Sequence, residues 1–97
     1  MFAAAAIPGV QTEVEHQARQ LPPFRVLLHN DDVNTFEHVI TAIMELTPLD
    51  LHEAVKRTIE AHETGLALLL VTHQERAELY VDQFASVSLT ATCEPDG

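Results

Sequence analysis

Two places in this sequence carry residue types that do more than pack. The first is Asn30-Asp31-Asp32, an amide followed by two carboxylates at the end of an apolar alternation. The second is His62, an imidazole on what otherwise reads as the apolar stripe of a helix. An amide oxygen, carboxylates and a neutral imidazole are mostly hydrogen-bond acceptors, and such a cluster suits a compact cation with several N–H donors. The α-ammonium group at the start of a polypeptide is such a cation, with an ordinary pKa of about 7.7–8.0, and its capture is a recurring mode of peptide recognition. Phe36, Val39, Thr58, Ala61 and Leu89 supply apolar side chains for a pocket beside it, where a buried side chain contributes roughly 1.5–3 kcal/mol. Taken singly, each feature has a plainer reading. Asn-Asp-Asp makes turns and caps helices, and a lone histidine on an apolar stripe is commonly a satisfied core residue. Only their convergence at one end of the domain would make a site.

Other chemistries have less support. There is no HExxH, no pair of cysteines and no glycine-rich phosphate loop, with glycine numbering only three. The six histidines, His16, His29, His38, His52, His62 and His73, are never three or four residues apart. Neither a metal ion nor a cofactor is expected, and catalytic residues are absent from the reading; a hydrolase or metal site built from Asp31, Asp32 and His62 rests on residue type alone. Fifteen acidic against five basic residues give a formal net charge of −10. Phosphate backbones and anionic lipid surfaces need lysine and arginine, so nucleic acid and membrane are excluded as partners.

The chain has 97 residues, enough for one domain. Its single cysteine, Cys93, excludes an internal disulfide and fits a reducing compartment. Met1–Val10 lacks the basic start of a signal peptide, and the longest apolar run, Leu66–Val71, is far too short to span a bilayer. A cytoplasmic protein is expected.

The elements that must position these residues follow from period and punctuation. Residues 1–21 are Ala-rich and then polar, which predicts a flexible N-terminal arm ended by Pro22-Pro23; residues 22–97 form the core domain. Phe24, Val26 and Leu28 alternate with Arg25 and His29, a first strand ended by the Asn30-Asp31-Asp32 turn. Asn34 and Glu37 are spaced as cap and third residue of a helix whose stripe is Phe36, Val39, Ile40, Ile43 and Met44. Thr47 and Pro48 suit the start of a second helix, with Leu51, Ala54, Val55, Thr58, Ile59 and His62 on its inner face and Gly65 as its stop. The uninterrupted run Leu66–Val71 predicts a buried central strand. Thr72 then caps a third helix striped by Ala77, Tyr80, Val81 and Phe84, and Leu89–Glu94 alternates as an edge strand. The expected fold is α+β, a two-layer sandwich in β-α-α-β-α-β order with a three-stranded sheet and three helices on one face.

The same residues carry a family likeness. Pro22-Pro23-Phe24-Arg25-Val26-Leu27-Leu28-His29-Asn30-Asp31-Asp32 resembles the opening of the ClpS core, and Glu60-Ala61-His62-Glu63-Thr64-Gly65 resembles its His-x-x-Gly segment. The likeness runs over about residues 22–95. It implies a fold similar to the C-terminal domain of the ribosomal stalk protein. It also implies a non-enzymatic adaptor that binds bulky hydrophobic N-terminal residues and docks on the N-terminal domain of a ClpA or ClpC unfoldase. The resemblance carries Asn30, Asp31 and His62 over as the grip on the α-amino group, with Asp32 ordering the turn. Phe36, Val39, Thr58, Ala61 and Leu89 become the side-chain pocket. Glu75 matches a position used against the unfoldase, and Tyr80 stands where a basic residue commonly helps. Phe36 and Thr58 both stand where the family commonly has Met, which implies a more rigid gate and a smaller, more polar wall. The second reading of the same likeness is a stalk-like interaction domain that ignores peptide termini.

Overall fold

The computed structural model of the protein describes residues 21–97. The predicted arm, residues 1–21, lies outside the described residues except for Leu21. The elements are β1 (Phe24–His29), α1 (Phe36–Leu46), α2 (Leu51–Thr64), β2 (Leu66–Thr72), α3 (Gln74–Ser86) and β3 (Ala91–Pro95), in the predicted β-α-α-β-α-β order. The sheet runs β2-β1-β3 with both pairings antiparallel.

β1 therefore lies in the middle, and the expected central strand, Leu66–Val71, is at an edge. An unbroken apolar run reads as burial on both faces, yet helices cover only one. Ala67 and Leu69 face them and are buried, whereas Leu66, Leu68 and Val71 stand on the open face at 38–45% exposure. Val26 pairs with Leu70 and Leu27 with Leu68, so Leu69 is the extra residue of a bulge. β1 keeps strict alternation, with Val26 and Leu28 fully buried.

The helices start one to three residues from where their sequence punctuation predicts. Thr35, not Asn34, caps α1, its hydroxyl accepting from the His38 N–H at 3.1 Å. Asp50, not Thr47, caps α2, accepting from Glu53 N–H at 2.9 Å. Thr47 instead closes α1, donating its hydroxyl to the Ile43 carbonyl at 2.6 Å. Thr72 belongs to β2, and His73 begins α3 without a side-chain capping bond. Gly65 ends α2 as expected, at φ 90° in the left-handed region that a glycine takes without a Cβ clash. α3 ends in a Schellman turn: Leu89 N–H reaches Phe84 O at 2.9 Å and Ser88 N–H reaches Ala85 O at 3.1 Å, with Ser88 at φ 67°.

The core lies between the sheet and the three helices. Its largest fully buried side chains are Phe84, Leu28, Ile43 and Val26.

Candidate functional site

The site forms where β1 runs out. His29 N–H donates to Thr90 O at 3.0 Å and Asn30 N–H to Gly65 O at 3.1 Å. These two bonds fix the end of β1 between the approach to β3 and the C-terminal end of α2, tying Asn30 to Gly65, three residues after His62. The following loop is ordered by a single carboxylate. Asp31 Oδ1 accepts from Val33 N–H at 2.6 Å and from Asn34 N–H at 3.0 Å, and Oδ2 accepts from Asn34 Nδ2 at 2.5 Å. Those donors, Val33 first and then Asn34, hold the Asp31 carboxyl below its ordinary value of 3.8, so it stays ionised. Asn30 Nδ2 donates to Asp32 Oδ1 at 3.3 Å, which leaves the amide oxygen of Asn30 as the acceptor. Asp32 thereby orients Asn30 as well as belonging to the turn.

His62 and Phe36 form the opposite side. Their rings meet edge to face, centroids 5.1 Å apart and planes at 74°. Between the two sides is a hollow with a polar rim of His29, Asn30, Asp31, Asn34 and His62 and an apolar lining of Leu28, Phe36, Val39, Thr58 and Ala61. It offers about 20 Å³ to a water-sized occupant, so with Phe36 against His62 it admits water and no bulky side chain. The Thr58 hydroxyl donates to Ala54 O at 2.7 Å. Its polarity is turned onto its own helix, and the expected polar wall is apolar in effect. The site also lies beside the C-terminal end of α2, where partial negative charge favours a cation.

Of the residues singled out in the sequence, Asn30, Asp31, His62, Phe36, Val39, Thr58 and Ala61 all line this one hollow. Leu89 does not. It is buried in the core, at the turn that follows α3. His62 was expected on the inner face of α2 and is exposed. The buried stripe is the narrow Ala54, Thr58, Ala61, and its small residues bring the helix close to its neighbours and leave Leu51, Ile59 and His62 outside. Tyr80 is also displaced from its expected role. The residue is 4% exposed, with the Arg76 guanidinium 5.2 Å from the ring centroid, so it belongs to the core and offers almost no surface to a partner. Glu75, in the first turn of α3, is exposed. Sequence reasoning missed Leu28, His29 and Asn34. Asn34 lies within the loop but read as a helix cap, and the parity of β1 already aims Leu28 at the core.

Among the described residues no group of three or more His, Cys, Asp or Glu side chains gathers as for a metal ion. Nor is any helix among them long and apolar enough to cross a membrane.

Comparison with known proteins gives a consistent result. The profile of the family described as ATP-dependent Clp protease adaptor protein ClpS matches residues 19–92. An ATP-dependent Clp protease adapter protein ClpS from Synechococcus sp. (strain CC9902) is 39% identical over 83 residues, 84% of this chain and 80% of that protein. The protein of the same name from Synechococcus elongatus is 38% identical over 93 residues, 94% of this chain and 98% of the other. The structure of Agrobacterium tumefaciens ClpS2 bound to L-phenylalaninamide superposes with a TM-score of 0.76 at 22% identity, covering 79% of this chain and all of that one. At that identity the likeness establishes the fold, and it matches the three-stranded, three-helix architecture described above.

Proposed function

The chain belongs to the ClpS family of Clp protease adaptors, and from that premise we propose that it grips the free N-terminal residue of a substrate polypeptide between Asn30 and His62. It then presents that substrate to a ClpA- or ClpC-type unfoldase. The observation that carries this reading is the meeting of Asn30, Asp31 and His62 over a single apolar hollow. An α-ammonium has three N–H donors. The Asn30 amide oxygen and the His62 imidazole accept two of them, and the ionised Asp31 supplies the opposing charge. The first side chain of the substrate enters the hollow lined by Leu28, Val39, Thr58 and Ala61. L-phenylalaninamide, held by the Agrobacterium relative, combines a free amine, an aromatic side chain and an amide, the three elements this site is built to meet. The protein acts by binding, without turnover. On the unfoldase side, Glu75 is the residue we place at the docking face of α3, with Leu79 exposed one turn further on.

Two peptides that share the sequence Phe-Ala-Ala and a fluorescent tail, one with a free amine and one N-acetylated, test the reading by anisotropy. The free peptide is expected to bind and the acetylated one not to, because acetylation removes the charge and two donors. Equal binding of the two would overturn amine recognition.

The narrowness of the hollow makes a second expectation. Phe36 must leave His62 before a bulky side chain enters, and an edge-to-face aromatic pair contributes about 0.5–1.5 kcal/mol. Phe36→Ala should therefore raise the association rate of a Trp-initiated peptide roughly two- to ten-fold in stopped-flow measurements. Its preference among first residues should flatten at the same time. An unchanged association rate would mean that the ring is no barrier.

A further inference from the structure

We infer that Asn34 is a positioning residue of the amine site, holding the Asp31 carboxylate in place by bridging it to the turn at Ser88. The inference rests on the reading of the site as an amine grip. Asn34 was predicted as a helix cap, and Thr35 does that work instead. The Asn34 side chain is thereby released, and the structure shows where it goes. Its Nδ2 carries two hydrogens and meets two acceptors on different loops: Asp31 Oδ2 at 2.5 Å and the Ser88 carbonyl at 2.9 Å. The Asn34 main-chain N–H takes Asp31 Oδ1 at 3.0 Å as well. One residue thus contacts both carboxylate oxygens of Asp31, a residue that lines the hollow.

The far end of the bridge is unusual. Ser88, at φ 67°, is the one non-glycine residue in the left-handed region among the described residues. Such a conformation persists when surrounding contacts impose it. The Schellman bonds of the Ser88 and Leu89 N–H groups impose it here, and two contacts from the side of the site add to them: Asn34 on Ser88 O, and His38, whose Nε2–H donates to Val87 O at 2.8 Å. The carboxylate of Asp31 and the carbonyl of Ser88 are both acceptors and repel each other unless a donor stands between them. Removing the Asn34 amide therefore does two separable things. It releases Oδ2 of the carboxylate, leaving Oδ1 on the main-chain N–H groups of residues 33 and 34, and it lets the Ser88 turn relax.

The separation gives the test. Binding of a free-amine Phe-initiated peptide and thermal unfolding are measured for the wild type, Asn34→Ala and the double variant Asn34→Ala/Ser88→Gly. Glycine adopts a positive φ without steric penalty, so the double variant restores the turn but not the hold on Asp31. Asn34→Ala is expected to lower both Tm and affinity, the affinity by about ten-fold, as for loss of one charge-assisted contact. In the double variant Tm should recover while affinity stays low. If affinity returns together with Tm, Asn34 is a turn staple only, and the inference is overturned. Wild-type affinity in Asn34→Ala would overturn it equally. If the wild type binds the N-acetylated peptide as well as the free one, it is the amine reading itself that fails, and the assignment to Asn34 falls with it.

Discussion

Replacing Asp31 with alanine is expected to weaken peptide binding strongly and to loosen the loop that builds the site. Asp31 has two duties that the geometry makes distinguishable. Its oxygens accept from Val33 N–H, Asn34 N–H and Asn34 Nδ2, which organises residues 31–34 and sets Phe36 at the start of α1. On the proposed reading its negative charge is the counter-charge to the incoming ammonium, from a residue that lines the hollow. Alanine abolishes both, and affinity should fall by about ten- to a hundred-fold, the range for hydrogen bonds to charged groups. Asp31→Asn separates the two duties. Its side-chain oxygen still accepts from the Val33 and Asn34 N–H groups, as asparagine does in Asx turns, while its NH2 loses the bond from Asn34 Nδ2, so most of the loop order is kept while the charge is gone. Asn should therefore bind nearly as poorly as Ala yet unfold at a clearly higher temperature than Ala. The sign of the pH dependence is also determined. The folded protein holds the Asp31 carboxyl below its ordinary value, so its stabilisation is fully present above about pH 4. It is lost as pH falls from there through the lowered value, and acid unfolding of the wild type should converge on that of Asp31→Ala below that window. Binding by Asp31→Asn at wild-type strength would show that the charge plays no part.

The second large effect is on the fold. Phe84 is wholly buried and heads the largest side chains of the core. Its carbonyl also takes the Val87 and Leu89 N–H groups at 3.1 and 2.9 Å, so the residue both fills the space under α3 and starts the turn into β3. Phe84→Ala removes the ring and leaves a cavity, which costs about 3–5 kcal/mol. Domains of this size have about 5–15 kcal/mol in total and small ones lie toward the lower end. Urea unfolding should show a strongly lowered midpoint with an unchanged slope, and peptide binding should fall in proportion to the folded fraction. Phe84→Leu, which keeps most of the volume, should lose much less. A midpoint within a few tenths molar of wild type for Phe84→Ala would contradict this account of the core.

The order of elements was legible because the local signals are strong: the alternation Phe24, Val26, Leu28, the stop at Gly65, and the stripe Ala77, Tyr80, Phe84. What was not legible depended on partners distant in sequence. Asn34 and Thr35 both suit a helix cap, and the choice is made by Asp31 and Ser88, which take the Asn34 side chain. Thr47 reads as a start but closes the preceding helix through Ile43. Leu66–Val71 reads as a central strand, and nothing local reveals that its open face is left uncovered. For the site, Asn30, Asp31 and His62 were findable by residue type, since each is a polar group without an evident packing role. His62 was assigned to the wrong face of α2, because the stripe that packs is made of Ala54, Thr58 and Ala61 rather than the larger residues beside them. Tyr80 shows the converse. Its periodicity placed it in the core, where the structure has it, and the surface role came from the family likeness alone.

The most direct measurement is a chemical-shift map: isotope-labelled protein titrated with a free-amine Phe-initiated peptide and, separately, with its acetylated twin. The free peptide should move the amides of Asn30, Asp31, Phe36, Thr58 and His62 together, and the acetylated one should leave them in place. Shifts gathered along the outer face of α3, or the same shifts from both peptides, would contradict it.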